Sequence, residues 1–291
     1  MLSSENELTK QARDKLEALR EYLGELGHVV VAYSGGVDSA FLLRVAYDEL
    51  KDNCQAFTAR SPSLMQVELD EATELAKEIG VKHVIVDTHE LERRGYVENS
   101  IDRCYFCKSE LFDATAIAAQ RFGAAVVVDG FNADDLLDHR PGHKAAAEQG
   151  VVHPLADVGL TKSEIRALSR ELGLPTWSKP QLACLASRVP YGTEVTLQRL
   201  TRIGHLETAL RKLNFYDVRA RLVSGNDEIV RIEIGENELE KIVIPETRKS
   251  VIRAAKDSGF RFVTIDLEGF RSGRMNEGLV QLGTLGSQPR L

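Results

Sequence analysis

Apolar residues recur at helical spacing through the first turns of the chain (Leu8, Ala12, Leu16, Leu19, Leu23, Leu26). They predict an amphipathic helix over 5–26 that feeds into HVVVAY, a β-branched run of the kind found in a strand buried on both faces. The alternation then repeats: a helix after Asp38, a strand over 55–59, a helix over 64–79, a strand over 83–86, a helix over 107–121 and a strand over 125–128. Strand and helix taking turns in this way predict an α/β domain built on a doubly wound parallel sheet. The segment VVHPL and a helix over 162–172, closed by Gly173 and Pro175, extend the same layers.

Beyond Tyr191-Gly192 the pattern changes. A helix over 196–213 precedes two short strands, DVRARLV and EIVRIEI, joined by Ser-Gly-Asn-Asp, whose Gly and Asn accept the positive φ of a hairpin turn. A helix over 245–257 and a strand in FRFVTIDL complete a smaller α+β domain, and LGTLGSQPRL reads as a frayed tail. The expected division is therefore 1–190 and 191–291. With 291 residues, 43% of them hydrophobic and 28% charged, the chain can fill both cores. Lys and Arg number 37 against 44 Asp and Glu, a net charge of -7, so no chain-wide basic field exists to hold a nucleic acid. No apolar run approaches the roughly 20 residues needed to cross a bilayer, and the charged helical start differs from a cleavable signal. The expectation is a cytoplasmic chain with no membrane partner. Four cysteines are too few for a disulfide framework, which directs attention to metal or catalytic roles.

The sharpest local feature is Ser34-Gly35-Gly36-Val37-Asp38-Ser39, placed where the first strand gives way to a helix. Ligands of α/β sheets bind at that edge. Two glycines let backbone approach an anion closely, and the N–H groups of the helix start, with the Ser34 and Ser39 hydroxyls, suit phosphate oxygens. The Gly-Lys-Ser/Thr ending of a Walker loop is absent. The hexapeptide resembles the SGGxDS signature of the PP-loop ATP pyrophosphatases, which cleave ATP between its α and β phosphates and adenylate a substrate oxygen. That superfamily includes GMP, NAD and argininosuccinate synthetases and tRNA thiolases, so the loop specifies chemistry more closely than substrate.

A CxxC pair, Cys104 and Cys107, lies at a loop-to-helix junction, and Cys184 lies in the segment QLACLASRVPYG. Two thiolates so spaced can share a metal or cluster, which a third would complete as a three-cysteine site. Half a zinc site or a redox dithiol are the alternatives for the pair alone. Cys54 enters a strand beside Phe57 and reads as a buried apolar residue. Lys108, one turn after Cys104, and Arg188, four residues after Cys184, can neutralise charge on an adenylate or phosphate, or be a solvated lysine and a surface ion pair. In DGFNADDLLDHRPG, Asp134 and Asp135 sit after a strand, where they can hold Mg²⁺ or cap a helix. Asp38 has the same two readings. Arg219 and Arg221 alternate along a strand and share a face.

Taken together, SGGVDS, RCYFCK, DGFNADDLLDHRPG, CLASRVPYG and DLEGFRSG resemble the LarE family over about residues 10–280. These are ATP-dependent sulfur transferases of nickel-pincer cofactor synthesis. The resemblance implies Mg²⁺-dependent adenylation by ATP of a carboxylate of pyridinium-3,5-biscarboxylic acid mononucleotide, followed by sulfur transfer to give the thiocarboxylate. It implies a homo-oligomer, in the family a hexamer. Cys184 matches the sulfur-bearing position, and Cys104 and Cys107 are what the single-cysteine, sacrificial members lack. The resemblance thus implies a four-iron four-sulfur cluster on Cys104, Cys107 and Cys184. It also implies a substrate-phosphate role for Arg219 and Arg221, and acidic or metal positions at Glu207 and Glu233. Trp177 reads as a packing or loop-anchoring residue. The rival readings are a sacrificial Cys184, a tRNA thiolase, an ammonia-dependent synthetase and a nucleotide-binding module without catalysis.

Overall fold

The computed structural model describes residues 2–123, 125–137, 146–180 and 183–271, with side chains from residue 10 onward. Gln181, Leu182, the end of DGFNADDLLDHRPG, Ser272-Gly273 and the expected tail lie outside the described residues. Two compact units divide the chain: Met1–Tyr96 with Ile101–Leu182, and Val97–Ser100 with Ala183–Leu291. Where the sequence places the join near Pro190, the units part just before Cys184, and four residues of the N-terminal stretch belong to the second unit.

In the first unit, helix α1 (Leu2–Leu26) leads into β1 (Val29–Ala32), followed by α2 (Val37–Leu50), β2 (Cys54–Arg60), α3 (Gln66–Ile79), β3 (Lys82–Asp87), α4 (Arg103–Arg121) and β4 (Val126–Asp129). The four strands run parallel in the order β3-β2-β1-β4. The strand order reverses between β1 and β4, which opens the ligand crevice of a doubly wound sheet beside the end of β1. Nearly every side of α2 is apolar and buried (Val37, Ala40, Phe41, Leu42, Leu43, Val45, Ala46), so this helix packs centrally and presents its first turn to the crevice. On α1, Ala12, Leu16, Leu19 and Leu23 are buried, as the sequence period predicts.

VVHPL adds only a single parallel bridge, Val152 to Val128, before the short helix Pro154–Asp157. Proline has no N–H to continue a ladder, and His153 turns its ring to the carboxylate of Asp129, 2.7 Å away. Helix α5 (Lys162–Glu171) starts from a capping box in which the Thr161 backbone N–H donates to Glu164 at 2.9 Å.

In the second unit α6 (Leu197–Lys212) precedes β5 (Val218–Val223) and β6 (Asn226–Ile234), an antiparallel pair; α7 (Pro245–Asp257) then crosses to β7 (Phe262–Ile265), which pairs parallel to β6. Leu200, Ile203, Leu206 and Leu210 of α6 pack with Val218, Ala220, Leu222, Val230 and Ile232 to make the apolar core. The hairpin turn is tighter than the four residues read from the sequence. Gly225 takes the positive φ (74°), and Asn226 and Asp227 already belong to β6.

Candidate active site

The strand-to-helix loop after β1 is shaped by its own side chains. Ser39 Oγ lies 3.1 Å from Ser34 Oγ and accepts the Ser34 backbone N–H at 3.2 Å. Gly35 has φ 71°, and a Cβ there would stand 2.6 Å from Cβ of Ala72, so only glycine fits. Gly130, just past β4, lets that strand end approach the helix start, since a Cβ would meet the Ser39 backbone nitrogen at 2.8 Å. Helix α2 has no side-chain cap at Gly36. Its first-turn N–H groups therefore face the crevice as an anion cradle.

Charged side chains gather around this cradle within the first unit. Asp38 pairs with Lys162, the first residue of α5, and its other oxygen, Oδ1, is buried without a hydrogen-bond partner among the described residues. Burial pushes the Asp38 carboxyl up, and Lys162 only partly offsets this. A buried acceptor lacking a donor suits a hard cation, and Mg²⁺ ordinarily takes one or two carboxylates plus substrate phosphates. Asp38 therefore fits Mg²⁺ held jointly with ATP. No three His, Cys, Asp or Glu side chains converge as a metal site among the described residues. Asp134 accepts the backbone N–H of Lys162 at 2.8 Å and so caps α5, while Asp135 accepts from the Asn132 backbone at 3.3 Å. Lys179 reaches the Gly35 carbonyl at 3.3 Å and Glu71 at 2.7 Å.

Asp129, at the end of β4 and 6% exposed, gathers His153 Nδ1 at 2.7 Å and Lys108 Nζ at 4.0 Å. Lys108 thus stands beside the carboxylate at the end of β4. Burial alone raises the Asp129 carboxyl, but His153, Lys108 and the Phe131 backbone N–H outweigh it and hold the group below its ordinary value. Its ionised form therefore stabilises the fold above the ordinary carboxylate range, and this contribution is lost as pH falls through the lowered folded-state value. The expected result is that the urea midpoint falls less steeply for Asp129→Asn than for the wild type as pH is lowered from 7 to 3. Parallel curves count against the assignment.

The CxxC lies wholly inside α4, which begins at Arg103 and not at Cys107 as the sequence suggested; no Gly or Pro interrupts the turn that carries it. Cys104 and Cys107, at i and i+3, therefore share a helix face. Cys104 is exposed, and Cys107 Sγ lies 3.9 Å from Oε1 of Glu90, a 2%-exposed carboxylate whose Oε2 has no partner among the described residues. Two thiols on one helix face fit two ligands of a cluster, to which they bind as thiolates. Burial pushes the Cys54 thiol up to about 12, and this residue belongs to the core.

In the second unit, Cys184 is exposed at the start of the 3-10 turn Leu185–Arg188. Arg188 corrects the expectation of a substrate-facing arginine, for it is 2% exposed and its donors are engaged internally. Its Nε and Nη2 reach both oxygens of Glu207 at 2.8 and 3.0 Å, while Nη1 donates to the carbonyls of Ala183 and Cys184 at 2.6 and 3.0 Å. Arg188 is a positioning residue for the Cys184 turn. Asn99 braces the following residues through its amide, which donates to the carbonyls of Val189, Pro190 and Thr193. Glu207 and Glu233, expected at acidic or metal positions, are instead fully buried counterions. Glu207 serves Arg188 and the Ala220 N–H, and Glu233 serves Arg221 at 2.7 Å and Arg231 at 3.1 Å. Arg221 also donates to the Ser187 carbonyl at 2.8 Å, and Arg219 lies over the Phe270 ring. Burial, reinforced by Arg188, lowers Arg219 to about 10. Trp177 is 40% exposed under Arg170 and so lies outside the core.

Lys162, Lys179, Glu90 and His153, the partner of Asp129, were not singled out from the sequence. The one available signal was position, since Asp129 and His153 each follow a β-branched run at the sheet's carboxyl edge.

Comparison with known proteins gives this geometry a context. A family model described as "Queuosine biosynthesis protein QueC" matches residues 28–103, from β1 to the start of α4. An uncharacterized protein of Synechocystis sp. is 44% identical over 92% of this chain and 98% of its own. The pyridinium-3,5-bisthiocarboxylic acid mononucleotide synthase of Lactiplantibacillus plantarum is 37% identical over 89% of this chain and 92% of its own. A tRNA-specific 2-thiouridylase of Azorhizobium caulinodans shares 28% identity over 52% of this chain. The SGGVDS loop sits at the switch point of a PP-loop type sheet, and the similarity to the Lactiplantibacillus synthase runs through both units, so the chain belongs to the LarE family of pyridinium-3,5-bisthiocarboxylic acid mononucleotide synthases.

Proposed function

We propose that this chain is an ATP-dependent sulfur transferase that adenylates a carboxylate of pyridinium-3,5-biscarboxylic acid mononucleotide and replaces AMP with sulfur, giving the thiocarboxylate. The observation that carries the reading is similarity to a synthase of that name over 89% of the chain, with the uncapped α2 start and its glycine cradle in place. In this reading the first-turn N–H groups of α2 and the Ser34 and Ser39 hydroxyls hold the pyrophosphate oxygens of ATP. Asp38 holds Mg²⁺ together with those oxygens, and Lys162, released from Asp38, faces the phosphate charge. Lys108 neutralises charge on the adenylate. The guanidinium-rich region of Arg219 and Arg221 receives the substrate phosphate. The same reading places the enzyme in the cytoplasm as a homo-oligomer.

Cys104, Cys107 and Cys184 are proposed as ligands of a four-iron four-sulfur cluster, which when bound supplies a sulfur kept deprotonated at neutral pH. Protein purified without oxygen is expected to carry about four iron atoms and four acid-labile sulfides per chain. No iron after reconstitution, with a loss of hydrogen sulfide from the intact mass after turnover, returns Cys184 to a sacrificial role. The adenylation half has its own test. Gly35→Ala is expected to lower substrate-dependent pyrophosphate release at saturating ATP by at least about a hundredfold. A wild-type rate from this variant removes the loop from the reaction.

A further inference from the structure

Lys179 follows the 3-10 turn Pro175–Ser178, and its backbone is fixed at both polar groups. The N–H donates to the Thr176 carbonyl at 2.9 Å, and the carbonyl accepts from Arg166 Nη2 at 2.7 Å. Arg166 also holds the Trp177 carbonyl, at 2.6 Å, so the strap is anchored to α5. From it the Lys179 side chain, 14% exposed, reaches Glu71 of α3 at 2.7 Å and donates to the carbonyl of Gly35 at 3.3 Å. The same stretch of α3 closes on Gly35 through Ala72, whose own carbonyl accepts from the Tyr33 hydroxyl at 3.1 Å. With its ammonium already paired to a carboxylate, Lys179 is placed to hold the loop and not a ligand.

We propose that Lys179 is a positioning residue for the anion cradle, clamping the Gly35-Gly36 peptide in the orientation that offers the Gly36 N–H to phosphate. The inference rests on the nucleotide reading of this loop. A trans peptide is planar, with its C=O and N–H on opposite sides, and no cis bond occurs among the described residues. Holding the Gly35 carbonyl toward Lys179 therefore sends the Gly36 N–H the other way. Its described contact there is the Ser34 hydroxyl at 3.4 Å, long enough for a phosphate oxygen to displace. With glycine on both sides, no Cβ resists rotation of this peptide plane. A half-turn would carry the Gly36 φ from -77° into the positive region and aim a carbonyl oxygen at the phosphates, where like partial charges repel. The Gly36 carbonyl is already turned away, accepting the Ala40 N–H at 2.9 Å. Lys179 supplies for Gly35 the restraint that helix α2 supplies for Gly36.

Binding of Mg²⁺ with an ATP analogue that carries a methylene bridge between its α and β phosphates tests the clamp on the full chain. Lys179→Met is expected to weaken this binding at least about tenfold, the scale of one hydrogen bond from a charged donor. Gly36→Ala closes off the flipped state, since alanine is excluded from that positive φ and its Cβ meets only the Ser34 hydroxyl, at 3.3 Å. In the Gly36→Ala background Lys179→Met is therefore expected to change affinity by less than about twofold. An ammonium that touched phosphate directly would give the same loss in both backgrounds. Protein labelled with ¹⁵N-glycine and free of nucleotide gives a reading independent of binding. The Gly36 amide resonance is expected to shift or double in Lys179→Met, while those of Gly225 and Gly235 in the second unit stay in place. An undisturbed Gly36 resonance, or an equal loss of affinity in the two backgrounds, overturns the clamp. A wild type that binds no analogue overturns the nucleotide reading of the loop itself.

Discussion

Cys184→Ala is expected to lower thiocarboxylate formation by at least about a thousandfold while leaving substrate-dependent pyrophosphate exchange within about threefold of wild type. The split follows from where the residues stand. The phosphate cradle, Asp38 and Lys162 belong to the first compact unit, and Cys184 begins a turn of the second. In the proposed reading adenylation draws on the cradle, whereas the attacking sulfur, carried on a cluster or on the residue itself, needs the Cys184 thiol. Removing one sulfur atom from an exposed position costs the fold little. Product measured by mass spectrometry alongside labelled pyrophosphate exchange separates the half-reactions. Loss of both, or of neither, contradicts the assignment of Cys184 to sulfur delivery.

Arg188→Ala is expected to destabilise the second unit by about 3–5 kcal/mol, the usual cost of stranding one member of a buried ion pair. Both side chains are out of water, 1% exposed for Arg188 and 0% for Glu207. Their contact is bidentate at 2.8 and 3.0 Å. The substitution leaves the Glu207 carboxylate with the Ala220 N–H and a distant Arg211, and takes the donor from the carbonyls of Ala183 and Cys184. Urea unfolding of the full chain measures the change. The double replacement Arg188→Met with Glu207→Leu is expected to be more stable than Arg188→Ala, since it removes both charges and refills the volume. If Arg188→Ala stays within about 1 kcal/mol of wild type, the ion pair is not the anchor of the Cys184 turn.

The two results concern one short segment read in different ways. Cys184 and Arg188 were both legible as chemistry-bearing types four residues apart, and the sequence offered both for work on the substrate. Burial separates them. The thiol is exposed, while the guanidinium turns inward to a carboxylate 19 residues away on α6. Arg221 and Glu233 repeat the lesson across a β-hairpin, where two residues chosen for separate roles satisfy each other. An arginine near a reactive cysteine has the same local signature whether it meets substrate or glutamate, because its partner is chosen by packing.

The order of strands and helices, the parallel sheet and the position of SGGVDS at the end of β1 were determined by the sequence itself. The 2.0 and 3.6 residue periods and the glycine-rich junction are local properties, and local properties survive without a partner in space. The family could also be named from motifs alone. Only the tertiary structure decided that Lys162 meets Asp38 across 124 residues, that His153 and Lys108 converge on Asp129, and that Glu207 and Glu233 neutralise arginines. Such pairings are set by which charges are forced out of water together. That depends on how the layers close around them, which no periodicity in the chain encodes.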